Sequence, residues 1–167
     1  ENIEERGSIP QVIILEDLEK TLGKEDERQA WCFPRHPTGH IPQLPNGVRA
    51  IPTSLKIAIK SLILTKILKE LRLKKDSYNT MLINTANTVA VHNEIISQVN
   101  NYRQDLVDRA RSYDESLETE FKLIYDEYIN NQIEFNRICE FNGKKIFKKL
   151  DSWDLVKRQL RDSIEKV

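Results

Sequence analysis

The distribution of prolines and glycines divides this chain into two unequal parts. All six prolines and four of the five glycines lie within the first 52 residues, and the remaining glycine is Gly143. Residues 53–142 therefore lack the two residue types that most strongly interrupt regular secondary structure. We predict that this region forms one or two very long helices.

Composition limits how much of this helix can be covered from within the chain. Of the 167 residues, 39% are apolar and 31% are charged, so a single compact core is poorly supplied. The 26 basic and 26 acidic residues cancel, and no overall charge attracts nucleic acid or a membrane surface. The apolar stretch 55–71 contains four lysines, which argues against membrane insertion.

Cysteine usage and helix composition bear on the cellular location. The two cysteines give no disulfide framework, so a reducing, intracellular compartment is expected. In composition alone, the asparagine- and lysine-rich helices resemble those of coiled-coil subunits of fungal nuclear assemblies. We therefore expect a nuclear rather than a cytoplasmic location.

The first 28 residues are predicted to be an acidic segment with a short apolar helix. The helix runs from about residue 11 to residue 22 and is followed by Gly23, a common helix stop. The run Val12–Leu15 is equally consistent with a strand. In either case Ile13, Ile14 and Leu18 give the segment an apolar surface that suits docking onto a partner.

Residues 29–52 are predicted to be a proline-rich linker that lies along a protein surface, because it also carries several large apolar side chains. Within it, Cys32, His36 and His40 have the residue types of a zinc site, with Cys139 as a conceivable fourth ligand. Their spacing matches no established zinc signature. A linker that binds no metal is the favoured interpretation.

The segment 53–75 is predicted to be a helix that starts after Pro52 with a Thr53 or Ser54 cap. Its ten large apolar side chains spread around nearly the whole circumference, which is typical of a helix buried on all sides. We therefore expect this helix to lie among several others.

The segment 77–142 is predicted to be one long helix after a turn near Asp76. From Ile95 to Cys139, apolar and aromatic residues recur at steps of 4, 3 and 4, an eleven-residue repeat that keeps one stripe on one face. Upstream, from Tyr78 to Val99, the steps fit a heptad. The two patterns predict a nearly straight rod that ends at Asn142 and Gly143.

The last part of the chain, residues 143–167, is predicted to contain an amphipathic helix capped by Asp151 or Ser152. Trp153, Val156, Leu160 and Ile164 recur at helical spacing. This helix either folds back on the rod or offers its stripe to another chain.

Motifs that carry chemistry are absent from the sequence. It contains no phosphate-binding glycine loop, no dinucleotide fingerprint, no nucleophile elbow and no paired CxxC motif. We therefore predict a protein that is not an enzyme and has no cofactor. Direct nucleic-acid contact through the basic stretch 56–75 is conceivable but not favoured, because its lysines alternate with many apolar residues.

Together these features predict an all-α protein: a long helical hairpin or coiled-coil-like rod with short flanking helices and a proline-rich N-terminal arm. The predicted units are residues 1–28, 29–52, 53–142 (helices 53–75 and 77–142) and 143–167.

The leading functional hypothesis is a non-enzymatic scaffold subunit of an intracellular multiprotein assembly, in a hetero-oligomer rather than a homo-oligomer. The alternatives are a self-contained helical adaptor in membrane trafficking or regulation, and a nucleic-acid-associated helical module. The predicted partner-binding residues are Ile13, Ile14, Leu18, Leu62, Ile63, Ile67, Leu71, Ile95, Val99, Tyr102, Leu106, Tyr113, Leu117, Phe121, Ile124, Tyr128, Trp153, Val156, Leu160 and Ile164.

Overall fold

The computed structural model describes residues 31, 40–44, 46–73, 79–83, 88–141 and 152–166. Within these residues the regular secondary structure consists of four α-helices and no strand. The helices are α1 (Thr53–Leu73), α2 (Val89–Arg111), α3 (Glu115–Phe141) and α4 (Trp153–Glu165). The prediction of an all-α protein is therefore confirmed, while the predicted segment 1–28 lies outside the described residues.

Helix α1 begins immediately after Pro52, whose carbonyl oxygen accepts a hydrogen bond of 3.1 Å from the Lys56 backbone N–H. Proline suits this position because its missing N–H would have no intrahelical partner there. The buried side chains of α1 form two adjacent rows along one broad face, whereas Thr65 and Lys69 are exposed. The prediction that this helix is buried on all sides is wrong for the face that carries these two residues. The buried rows are Ile59, Ile63 and Ile67, and Lys60, Leu64 and Leu68.

The region 77–142 contains two helices where the sequence pattern predicts one. Residues 79–83 are not helical, α2 begins only at Val89, and the chain turns between Arg111 and Glu115. The predicted upstream heptad therefore does not form an inward stripe, and Leu82 is 91% exposed. Asn100 and Asn101, two residues with low helix propensity, both lie inside α2, so the helix continues through this pair.

Asp114 explains why the helix is interrupted at this point. Its carboxylate Oδ1 accepts hydrogen bonds from the backbone N–H and the hydroxyl of Ser116, at 2.8 and 2.6 Å. This is the geometry of a helix N-cap, in which a side-chain oxygen satisfies a backbone donor of the first turn. Tyr113 adopts a positive φ of 56°, which is uncommon for a bulky residue, within the turn that separates α2 from α3.

Cross-helix contacts show how the helices run relative to one another. Along α1, Lys60 pairs with Glu120 and Arg72 donates to the Tyr128 hydroxyl at 3.2 Å, so α1 and α3 run in the same direction. Helix α4 runs opposite to α3. Its first turn places Trp153 against Tyr125, with ring centroids 5.3 Å apart, and its last turns reach the α2–α3 turn.

Helix α4 closes the core. It packs against α1, α2 and α3, and most extensively against α1. Its apolar stripe of Val156, Leu160 and Ile164 is buried, as its helical spacing predicts. The sequence left open whether this helix folds back on the chain or presents its stripe to another chain. In the structure it folds back.

Candidate functional site

The N-terminal arm, here Trp31 and residues 40–52, is held against α2 by one buried glutamine. Gln98 Oε1 accepts a hydrogen bond of 2.8 Å from the Trp31 indole Nε1, and Gln98 Nε2 donates to the Pro42 carbonyl oxygen at 2.6 Å. A further bond of 3.1 Å joins Gln98 Nε2 to Glu94. Because buried polar groups cost free energy when left unpaired, these bonds fix the position of the arm.

A tight turn carries the arm from Leu44 to the start of α1. The Gly47 N–H donates to the Leu44 carbonyl oxygen at 2.8 Å, and Gly47 has a φ of +78°, a conformation that glycine adopts without strain. Beyond the turn, Ile51 is buried in the core next to α1. The described part of this proline-rich segment packs on this chain's own helices.

A charged network joins three helices beside the arm. Glu120 on α3 accepts hydrogen bonds from Lys60 on α1 and from Arg109 Nη2 on α2, the latter at 2.7 Å. Arg109 also pairs with Asp114 at 2.7 Å and lies 3.9 Å from Asp105. Glu120 therefore links α1, α2 and α3 through two cations.

The ionisation of these groups follows from their surroundings. Burial alone would raise the pKa of Glu120, but hydrogen bonds from Arg109 and Lys60 outweigh it, and the pKa is lowered overall. Burial likewise opposes the charge of Arg109, yet its bonds to Glu120 and Asp114 raise its pKa. Glu120 and Arg109 therefore remain charged around neutral pH.

A pocket of about 380 Å³ opens between the arm and the charged network, and we call it the junction pocket. Tyr102 stands beside it with Lys56 Nζ 5.5 Å above the centre of its ring. Burial, aided by the negative charge of Glu120, raises the pKa of Tyr102, so its hydroxyl stays protonated. The pocket is lined by Arg49, Ala50, Ile51, Lys56, Lys60, Gln98, Asn101, Tyr102, Asp105, Arg109 and Glu120.

Most predicted partner-binding residues lie in the interior of this chain, and their contact with another protein stays a prediction. Those that are buried are Ile63, Ile67, Ile95, Leu106, Leu117, Phe121, Val156, Leu160 and Ile164. Those that are half-buried are Leu62, Leu71, Val99, Tyr102, Ile124, Tyr128 and Trp153. Tyr113 is 74% exposed because the chain turns there, and Ile13, Ile14 and Leu18 lie outside the described residues.

The candidate zinc ligands are only partly described. Cys32 and His36 lie outside the described residues, and the side chain of Cys139 is not described. His40 Nε2 lies 3.4 Å from the Trp31 carbonyl oxygen. Among the described residues no group of three or more histidines, cysteines or carboxylates is placed to hold a metal ion. In the same part of the chain, no helix has the length and apolar character needed to cross a membrane.

Sequence reasoning missed the residues that organise the site. Gln98 follows Ile95 by three positions and precedes Tyr102 by four, so helical spacing alone places it on the buried face. Ser112 and Asp114 are residue types that cap helix N-termini, and two glutamates, Glu115 and Glu118, follow them. This combination signals the start of a helix, but the regular apolar stripe of the sequence obscured it. Arg109 and Glu120 carried no signal, because only the tertiary structure brings them together.

The fold and the site define a class: an all-helical module whose N-terminal arm packs against its own bundle beside a charged pocket. A family model described as "Z1 domain" matches residues 54–167. The chain therefore belongs to the Z1 domain family. The matched region contains all four helices but not the arm. No curated protein and no solved structure matches the chain significantly.

Proposed function

We propose that this chain is a non-enzymatic scaffold subunit that binds another protein subunit through the C-terminal end of α3. The carrying observation is the exposure of apolar side chains there: Ile133 is 51% exposed and Phe141 is 66% exposed. Side chains of α3 from Leu117 to Ile129 contribute to the core of this chain. Beyond Ile129, none of the described side chains of α3 belongs to that core.

The geometry of this end suits a partner helix. Ile133, Arg137 and Phe141 recur every four residues, so they form one row along α3. The stretch 130–141 is roughly 18 Å long at 1.5 Å per residue, enough for about three helical turns of contact. The exposed apolar side chains of this row favour a partner helix that carries apolar side chains opposite them.

Co-purification tests this proposal. The tagged chain, isolated from its native source, should carry one or more stoichiometric companion subunits. Ile133→Glu should abolish that association by placing a charge in the apolar row. Leu123→Glu is the matched control, because Leu123 is 67% exposed on the same helix but lies outside the row. Isolation of the wild-type chain without a companion, or equal recovery with Ile133→Glu, would contradict the proposal.

A second candidate, a self-contained helical adaptor in regulation or membrane trafficking, is favoured by a different observation. The core formed by α1, α2, α3 and α4 lies within one chain, and α4 folds back against the other helices instead of presenting its apolar stripe to another protein. Light scattering and thermal melting separate the two candidates. A compact monomer that melts cooperatively alone supports the adaptor, whereas a chain that is stable only with its companion supports the obligate scaffold.

The nucleic-acid hypothesis has weaker support in the described residues. Lys60 is committed to Glu120, and Lys66 Nζ lies 3.7 Å from Glu70. Affinity for nucleic acid that falls steeply with salt would revive this hypothesis. The proposed nuclear location of the assembly is checked directly by imaging a fluorescent fusion.

A further inference from the structure

The junction pocket carries an excess of positive charge. Four cationic side chains line it, Arg49, Lys56, Lys60 and Arg109, against the two carboxylates of Asp105 and Glu120. Because Arg109 also pairs with Asp114 outside the pocket, the excess is one positive charge. The inner cations, Lys60 and Arg109, are hydrogen-bonded to Glu120.

The other two cations of the pocket, Arg49 and Lys56, make different contacts. Lys56 stands over the Tyr102 ring, and among the described residues neither Lys56 nor Arg49 forms an ion pair. Arg49 comes from the arm and Lys56 from the first turn of α1, so docking of the arm places both in one pocket. Two cations that line one pocket without a carboxylate bonded to either favour binding of an anion there.

Tyr102 also lines the pocket, and its hydroxyl oxygen is buried without a hydrogen-bond partner among the described residues. Because that oxygen has almost no surface open to a water-sized atom, a ligand in the pocket does not reach it. Ala50 and Ile51 add an apolar wall that suits the organic part of a ligand.

We propose that the junction pocket binds a small phosphorylated molecule, with its phosphate held by Arg49 and Lys56. A phosphate monoester carries about −1.5 to −2 charges at neutral pH, opposite in sign to the excess charge of the pocket, and offers three strong acceptor oxygens. The planar guanidinium of arginine suits two such oxygens at once. This binding site is separate from the proposed partner surface on α3.

Size and charge distinguish this ligand from a nucleic-acid strand. The volume of about 380 Å³ lies at the lower end of small-molecule pockets, which span roughly 300 to 1,000 Å³. A strand needs a basic groove that continues along its backbone. Here Asp105 and Glu120 line the same pocket as the cations and repel a continuous row of phosphates.

Isothermal titration calorimetry of the full chain at constant ionic strength tests the proposal. The probes are adenosine 5′-monophosphate, inorganic phosphate, adenosine and a single-stranded oligonucleotide. Saturable binding of the monophosphate, with weaker binding of inorganic phosphate and none of adenosine, is the expected result. The proposal is overturned if neither phosphate compound binds, if adenosine binds as well as its monophosphate, or if only the oligonucleotide binds.

Substitutions locate the site. Arg49→Gln and Lys56→Gln should each weaken monophosphate binding at least about tenfold, because each removes a charge-assisted hydrogen bond. Lys69→Gln is the matched control, since it removes one charge from an exposed position on α1 outside the pocket.

Because Arg49 is exposed, its substitution should leave the fold intact, and circular dichroism checks this. Unchanged affinity in Arg49→Gln and Lys56→Gln would overturn the assignment of the pocket. Ile133→Glu should bind the monophosphate like the wild-type chain, so failure of the partner proposal and failure of this one give different results.

Discussion

The indole Nε1 of Trp31 donates a hydrogen bond of 2.8 Å to Oε1 of Gln98, and so joins the N-terminal arm to α2 across 67 positions of sequence. Trp31 is 1% exposed, and Gln98 is buried as well. Because both polar groups are removed from water, each depends on the other for its hydrogen bond. This one pair couples the arm, which lies outside the family-matched region, to the bundle inside it.

Gln98→Ala should release the arm and destabilise the fold. The substitution leaves the Trp31 indole N–H and the Pro42 carbonyl oxygen unpaired, and each unpaired buried group costs about 1–3 kcal/mol. When Gln98→Ala is combined with Trp153→Phe, Trp31 is the one remaining tryptophan. Its fluorescence should then shift to longer wavelength, because release of the arm exposes the indole to water. Asn100→Ala, at an exposed position on α2, is the control. A buried-type spectrum in Gln98→Ala would refute this role.

Phe121→Ala should be among the most damaging substitutions in α3. The Phe121 side chain is completely buried, and truncation of a buried phenylalanine costs about 3–5 kcal/mol through lost contacts and the cavity left behind. Chemical denaturation measures the change. Leu123→Ala, two positions away and exposed, should change the free energy of unfolding by less than about 0.5 kcal/mol. Similar losses in the two variants would mean that the α3 face is assigned incorrectly.

Asp114 should make the protein sensitive to acid. Hydrogen bonds from Ser116, followed by those from Arg109, lower the pKa of Asp114 from 3.8 to about 2. Since the folded-state pKa is depressed, the carboxylate stabilises the fold above pH 3.8, and this stabilisation is lost as pH falls towards 2.

Melting curves between pH 5 and pH 2 test this expectation. Asp114→Asn should lower the melting temperature at pH 5 and flatten its decline towards pH 2. Asp162→Asn, at an exposed site on α4, controls for the general loss of one negative charge. If the decline is as steep in Asp114→Asn as in the wild-type chain, the acid sensitivity arises elsewhere.

Gly47→Ala should strain the turn that delivers the arm to α1. No atom lies within 4 Å of the added Cβ, so the penalty comes from the backbone conformation alone. A left-handed conformation costs a residue with a Cβ roughly 1–2 kcal/mol. Gly47→Asn is the informative comparison, because asparagine tolerates this conformation better, and it should lose less stability. Equal stability of Gly47→Ala and the wild-type chain in thermal melts would contradict this account.

Helix positions and faces were largely predictable from the sequence. The absence of prolines and glycines allowed α1, α2 and α3, and the eleven-residue spacing placed Leu106, Leu117 and Phe121 on the inward face. That spacing does not reveal whether two helical stretches lie on one axis. Its phase passes unchanged from Ala110 to Leu117, although the chain turns between them, so the local cap at Asp114 was overlooked.

The junction pocket was much harder to predict. Arg49, Tyr102 and Glu120 belong to three distant segments, and none of them has a spacing that signals a site. Gln98 was the most accessible clue, as a polar residue on a buried face. Its meaning depends on Trp31, which sequence alone does not place beside it.

The sequence by itself determined that this protein is helical, where its breakers lie and which helix faces are apolar, because these properties depend on backbone conformation and local spacing. The tertiary structure decided which helices cover those faces. It folded α4 back against α1, α2 and α3 and docked the arm on Gln98. Hydrogen bonds and ion pairs such as Trp31–Gln98 and Lys60–Glu120 form only when distant segments meet. No local pattern encodes those meetings, because they depend on the packing of the whole chain.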